Sequence, residues 1–210
     1  VYLRSDMYHQ YCPFFSELWD KIRNGGSLFY SWEIGLGSNF AALYGYYLSS
    51  PLNWFIGFFP HEYMIEMMNI IILLKLALAS VAFTYYIEKR FKVSNITISI
   101  FGMFYALSGF TAAFSWNLMW FDCVLLLPLV LLGLERLVNE DKGILYTITL
   151  GLTILSNYYI AIMVCISLVF YFFVLLVTMP VPEKKTVYLQ KIGYFTIFSV
   201  LAGAMSAAIL

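Results

Sequence analysis

An all-α, polytopic membrane protein is the fold class this sequence predicts. Of its 210 residues 62% are hydrophobic and only 11% are charged, whereas soluble domains hold roughly 45–50% apolar and 25% charged residues. The apolar residues also fall in runs near the ~20 that a helix needs to cross a ~30 Å hydrocarbon core. Aromatic residues reach 20%, and Trp and Tyr concentrate where lipid meets water. Twelve basic and twelve acidic residues cancel, so the clustered positive surface that a nucleic-acid partner requires has no support. Cys12, Cys123 and Cys165 include no C-x-x-C pair, which leaves neither a disulfide framework nor a thiolate metal site in the usual spacing.

The predicted spans lie at 67–86, 96–114, 123–138, 144–155, 158–179 and 192–210, within a region 66–210. The fourth and fifth come from one apolar stretch of 36 residues, 144–179, which as a straight helix at ~1.5 Å per residue would far exceed the membrane core. It must reverse once, and its polar break is Ser156-Asn157-Tyr158-Tyr159. Orientation follows from Lys and Arg, which translocated loops lack. Lys89, Arg90 and Lys92, then Arg136 and Lys142, then Lys184, Lys185 and Lys191 mark connections on the cytoplasmic side. Two such loops flanking 144–179 demand an even number of crossings, which independently requires the reversal. The loop 115–120 carries no basic residue and belongs outside, as do residues 1–65. Val1 is no initiator and the run ending at Leu210 has no polar flank, so the chain is expected to be an interior or N-terminally trimmed piece of a larger multi-spanning protein.

Within 1–65, Pro13 opens a helix that puts Phe14, Leu18 and Ile22 on one face and Glu17, Asp20 and Lys21 on the other, until Gly25-Gly26 stops it. Aromatic residues continue through 29–59, so the segment is expected along the membrane face, with 52–59 dipping in after Pro51.

Several polar groups converge on the outer surface if this threading holds. Asp6, His9 and Gln10 fall at i, i+3 and i+4, one face of a helical turn that offers a carboxylate base and hydrogen-bond donors; an ordinary solvated turn is the plainer reading. Asn39, Asn117, Asn157 and Tyr158 join them as candidate substrate contacts. Asp122 opens an apolar helix, where an acid caps the helix dipole or serves a site. Lys75 is a lone charge in a span, and a lipid phosphate, an acidic partner or snorkelling would offset its cost of ~2.5–3.5 kcal/mol. Gly35-Leu36-Gly37-Ser38-Asn39-Phe40 lacks the last glycine and the preceding strand of a dinucleotide loop. His9 and His61 are too far apart in sequence to indicate a metal pair.

Ser5-Asp6-Met7-Tyr8-His9-Gln10-Tyr11 with Pro13-Phe14-Phe15, then Phe29-Tyr30-Ser31-Trp32, Gly35-Leu36-Gly37-Ser38-Asn39-Phe40, Tyr46-Tyr47-Leu48-Ser49-Ser50-Pro51, Asn117-Leu118-Met119-Trp120-Phe121-Asp122 and Ser156-Asn157-Tyr158-Tyr159 together resemble the YfhO family of bacterial integral membrane proteins. The resemblance implies a fold similar to the GT-C membrane glycosyltransferases. It also implies a plasma-membrane enzyme that takes sugar from a polyprenyl-phosphate donor on the outer face and glycosylates an envelope polymer such as teichoic acid. Carried across, Asp6 would be the first-loop acid, a catalytic base or metal contact, and Asp122 the second. No cofactor is legible, and a divalent metal, if one serves, would be held by Asp6 and Asp122. Arg4, Lys75 or that metal would stabilise the departing phosphate. The competing expectations are a transporter or flippase of a lipid-linked intermediate, suggested by Lys75 and the interrupted helix at Asn157, and a non-catalytic assembly subunit docking through its aromatic segment.

Overall fold

A computed structural model describes residues 6–180 and 185–207; Arg4 and Lys184 lie outside the described residues. The protein is all-α and polytopic, as the composition predicts. Among the described residues, five helical stretches are long and apolar enough to cross a membrane: His61–Phe91, Ile96–Phe114, Leu118–Glu140, Tyr158–Thr178 and Thr186–Met205. The strand content among the described residues is one short antiparallel pair, β1 (Tyr30–Ser31) with β2 (Ser38–Asn39).

The apolar region comprises α3 (Met64–Phe91), α4 (Ile96–Ala106), α5 (Gly109–Phe114), α6 (Phe121–Glu140), α7 (Ile144–Ser156), α8 (Tyr158–Thr178) and α9 (Thr186–Met205). Their directions follow from paired contacts. Lys75 meets Asp122 and Tyr86 meets Glu135, so α3 and α6 run parallel. Cys123 reaches the Asn157 carbonyl and Tyr171 bonds Glu135, so α8 runs parallel to α6. Gly133 lies against Tyr146 while Cys123 lies against Thr153, so α7 is antiparallel to α6. Tyr146 meets Ser199 and Gly151 meets Ser206, so α9 follows α7. The chain therefore reverses at Asn157. That residue is extended (φ −163°, ψ 104°) and its side chain accepts the Ile160 N–H at 3.0 Å, the N-cap role for which asparagine is favoured. The same directions bring the C-terminal ends of α3, α6 and α8, with Lys89, Arg90, Lys92, Arg136 and Lys142, to one end of the bundle, here the basic end.

Three elements differ from the expectation. The stretch 96–114 is two helices, broken at Leu107-Ser108, where Ser108 turns extended (ψ 167°) and Thr111 Oγ1 takes up the freed Ala106 carbonyl at 2.7 Å. The last helix begins at Thr186, earlier than the predicted 192, because Tyr188 and Lys191 pack inward rather than forming a loop. Helix α7 has 13 residues, about 20 Å at ~1.5 Å per residue and short of the hydrocarbon core. Its end is covered by protein: Ser49 Oγ lies 2.6 Å from the Leu155 carbonyl and 3.1 Å from that of Ser156, satisfying groups that lipid would leave unpaired.

Small residues let the helices approach closely. A Cβ on Gly133 would stand 2.6 Å from the backbone of Tyr146. Near the basic end, buried Glu135 gathers three helices through Tyr86 (2.9 Å), Tyr171 (2.5 Å) and Arg90 (3.3 Å).

Residues 6–63 form a cap over the opposite end. α1 (Cys12–Asn24) buries Phe15 and Leu18, in line with Met7 and Tyr11, against Met64, Met67, Met68, Ile71, Leu118 and Phe121. The predicted face of Phe14, Leu18 and Ile22 is thus rotated, with Phe14 and Ile22 half-buried at its margins. Upstream, residues Met7–Tyr11 form a wide π turn, closed by the Cys12 N–H on the Met7 carbonyl. Glu17, expected on the solvated face, is buried between Lys21 (3.1 Å) and Ser31 (2.5 Å). The cap continues through α2 (Phe40–Leu43), a second π turn at Tyr44–Leu48 and a 3₁₀ helix at Pro51–Phe58 opened by Ser50 and Pro51.

Candidate functional site

Lys75 and Asp122 sit where the cap meets the bundle. Lys75 is 0% exposed, and its three ammonium hydrogens are matched by Asp122 Oδ2 at 2.6 Å, the Leu118 carbonyl at 3.0 Å and Asn53 Oδ1 at 3.4 Å. The other Asp122 oxygen, Oδ1, accepts Ser50 Oγ–H at 2.7 Å. The acidic partner is therefore what offsets the lysine's cost, and no ammonium hydrogen remains for a phosphate. Although central in its apolar run, Lys75 is level with the first turn of α6 rather than midway along the bundle. Asn53 and Ser50 were not legible as part of this cluster; polar residues interrupting an aromatic run were the available signal.

Around it lies a patch of amide and phenol groups. Tyr11 donates to Asn117 Oδ1 at 2.7 Å, Gln10 donates to the Tyr47 hydroxyl at 3.1 Å, and Asn157 Nδ2 donates to the Tyr46 carbonyl at 3.0 Å. Tyr11 stacks near Trp116 with centroids 6.3 Å apart, Tyr46 meets Tyr47 edge-on at 4.5 Å, and Tyr158 meets Tyr46 at 5.5 Å. The two π turns face each other here, and such irregular turns recur at functional sites. Asp6 is exposed and makes no hydrogen bond or ion pair with a described residue. Burial, with the Asp6 charge acting in the same direction, pushes the Tyr11 phenol well above its usual range, so it stays a donor. Burial likewise raises Tyr46.

The predicted contacts thus divide. Gln10, Asn117, Asn157 and Tyr158 come together through Tyr11, Tyr46 and Tyr47. His9 is exposed beside them, edge-on to Tyr8. Asn39 stands apart on β2, where its side chain caps α2 by accepting the Ala42 N–H at 3.3 Å. The i, i+3, i+4 face drawn for Asp6, His9 and Gln10 presumed an α turn; the π turn widens that spacing and sets Asp6 near Tyr11 instead.

Two adjoining grooves, of about 620 Å³ and 680 Å³, open on the cap and share Pro13, Ser16 and His61. The first also takes Tyr8, His9, Met64 and Ile65; the second takes Trp19, Asp20 and Glu33. His9 and His61, remote in sequence, therefore line one groove. Ser16 Oγ and His61 Nε2 are 2.6 Å apart, and the His61 ring meets Trp19 edge-on at 5.2 Å. Sequence reasoning did not single out Ser16, Trp19 or Glu33, and weighed His61 only as a metal partner of His9, because no spacing links these groove residues. Among the described residues no three His, Cys, Asp or Glu side chains group to hold a metal ion. Asp122 in particular has both oxygens engaged, so a divalent ion shared between Asp6 and Asp122 does not fit this arrangement.

The whole chain, residues 1–210, matches one protein family, described as Bacterial membrane protein YfhO. No curated protein and no solved structure matches it. With the family's match covering every residue of a helical, multiply spanning chain, this protein belongs to the YfhO family of bacterial membrane proteins.

Proposed function

We propose that this protein is a glycosyltransferase of the bacterial plasma membrane. In this reading it takes sugar from a polyprenyl-phosphate donor on the outer face and passes it to an envelope polymer such as teichoic acid. The observation that carries the reading is the contrast between two acids: Asp6 is exposed near Tyr11 and makes no hydrogen bond or ion pair with a described residue, whereas Asp122 is buried with each oxygen bonded. Transfer needs a carboxylate able to take a proton. Asp6 accepts the proton of the acceptor hydroxyl, whose oxygen bonds to the anomeric carbon of the sugar. The bond from that carbon to the phosphate oxygen breaks, and its electron pair leaves with the polyprenyl phosphate. His9, which lines the first groove, is the donor assigned to the departing charge. Tyr8, Met64 and Ile65 give the first groove an apolar wall suited to a prenyl chain, and Trp19 with Asp20 and Glu33 gives the second the stacking face and acceptors that sugar hydroxyls use. Asp122 and Lys75 are positioning residues in this scheme. The flippase reading drew on Lys75 within the bilayer and on the helix reversal at Asn157; the lysine's charge is bonded to Asp122 and Asn157 serves as an N-cap.

The test is label transfer in membranes holding the complete protein and a labelled polyprenyl-phosphate sugar. Asp6→Asn is expected to abolish label in the envelope polymer at normal protein level. Undiminished transfer by that variant refutes the assignment of Asp6, and absence of transfer by the wild type refutes the function.

A further inference from the structure

At the basic end, far from the cap, a cavity of about 640 Å³ opens between the α6–α7 turn and α9. Arg136, Asp141 and Lys142 form its polar side, and Ile144, Ile148 and Phe198 its apolar side. The Phe198 ring lies so close over Gly143 that a Cβ there would meet it at 2.6 Å, which gives the cavity a flat floor. Its charges are unequally matched. Asp141 is taken by Lys191 at 2.8 Å, and Lys142 is shared with Glu140 at 2.9 Å. Arg136 is half-buried and forms no ion pair with a described residue. Its charge is felt by the Glu140 carboxylate without close pairing, and a planar guanidinium whose N–H groups no described carboxylate takes fits two oxygens of a phosphate. The apolar side says which phosphate: Ile144 and Ile148 are 74% and 46% exposed beside the cations, and a soluble anion gains nothing from such a wall while an acyl chain does. Basic cavities between spanning helices at the positively flanked surface are suited to anionic headgroups.

We propose that this cavity binds an anionic membrane phospholipid, its phosphate on Arg136 with Lys142 at the rim and its acyl chain along Ile144 and Ile148. The complete protein, extracted in detergent, is exchanged with phosphatidylglycerol or phosphatidylcholine at equal mole fraction, and retained lipid is counted by native mass spectrometry. Phosphatidylglycerol is expected to be retained over phosphatidylcholine. Arg136→Gln should lower its retention about fivefold, in line with the contribution of one cation at an anionic surface. Ile148→Trp, which fills the cavity and leaves every charge in place, should lower it as well, and so guards against a folding defect in the arginine variant. Lys92→Gln, on the same end but outside the cavity, should not. Equal retention of both lipids, or wild-type retention by Arg136→Gln or by Ile148→Trp, overturns the proposal. So does complete displacement of the lipid by inorganic phosphate, which would assign the cavity to a soluble anion. None of these outcomes bears on sugar transfer at the cap.

Discussion

Lys75 and Asp122 offer the sharpest quantitative test, because both are buried and each is the other's principal partner. Lys75→Met removes the ammonium and leaves a carboxylate whose one remaining donor among the described residues is Ser50. Asp122→Leu leaves an ammonium with two neutral acceptors, the Leu118 carbonyl and Asn53. Stranding one member of a buried pair costs about 3–5 kcal/mol. At roughly 2–4 °C per kcal/mol for a chain of this size, each single variant should melt about 6–20 °C below the wild type. The double variant Lys75→Met/Asp122→Leu strands no charge, and its cost should fall well below the sum of the singles, giving a coupling energy of several kcal/mol. The assay is thermal unfolding of the four proteins in one detergent, read by tryptophan emission and by loss of monodispersity. Single variants as stable as the wild type, or a double variant whose loss equals the sum, would refute the claim that these residues are bonded to each other.

Three further outcomes follow from the geometry. Burial holds the Tyr11 phenol above its unfolded value, so its contribution to stability is complete below about pH 10 and declines as pH rises above that, where the unfolded chain ionises first; Tyr11→Phe should lose about 1–3 kcal/mol at neutral pH by leaving Asn117 unpaired, yet lose less than the wild type between pH 10 and 11 in the same melting assay. Gly133→Leu should fail to accumulate or melt well below the wild type, because even its Cβ would press on the Tyr146 backbone, and overpacking costs typically 1–3 kcal/mol; an unchanged melting point would contradict the α6–α7 packing. In intact cells an impermeant thiol reagent should label Tyr8→Cys and miss Asn139→Cys in a background lacking Cys12, Cys123 and Cys165, and the reverse pattern would invert the orientation on which the proposed reaction rests.

The bundle was readable because its cause is chemical and repetitive. Apolar runs at membrane length, basic residues gathered in alternate connections and one asparagine in a 36-residue stretch are signals that hydropathy, the charge rule and capping preference convert directly into helices and a reversal. The cap was less readable. Its amphipathic helix was placed correctly, yet its buried face centres on Phe15 and Leu18, and no residue in Met-Tyr-His-Gln-Tyr announces the π turn that precedes it. Glu17 likewise sits where its own helix predicts solvent, and only the return of the chain at Ser31 buries it. The acids Asp6 and Asp122 were visible, but their unequal environments depend on Ser50 and Asn53, which lie about 70 residues before Asp122 in the chain. Groove residues such as His61 and Ser16 meet only through tertiary folding, and a single sequence carries no period that would join them.

The cap and the bundle are bound through one continuous set of contacts, and this changes what a loss of activity at Asp122 would mean. Asp122 holds Lys75, Lys75 holds the Leu118 carbonyl, and the preceding residue, Asn117, accepts the Tyr11 hydroxyl five positions from Asp6. Ser50 and Asn53 tie the second π turn to the same cluster. A substitution at Asp122 therefore loosens the footing of both π turns, and activity would fall even if the carboxylate never touched substrate. The separation comes from stability and rate taken together. Asp6 is exposed and unpartnered among the described residues, so Asp6→Asn should leave the melting point near that of the wild type while transfer stops. Asp122→Asn keeps the side-chain shape and a hydrogen-bond acceptor for Ser50, but removes the charge opposite Lys75; it should lower the melting point by several degrees and lower transfer only to the degree that the cap is displaced. Restoring neutrality with Lys75→Gln in the Asp122→Asn background should then recover part of both. Recovery of stability without any recovery of transfer would instead place the Asp122 carboxylate in the chemistry itself.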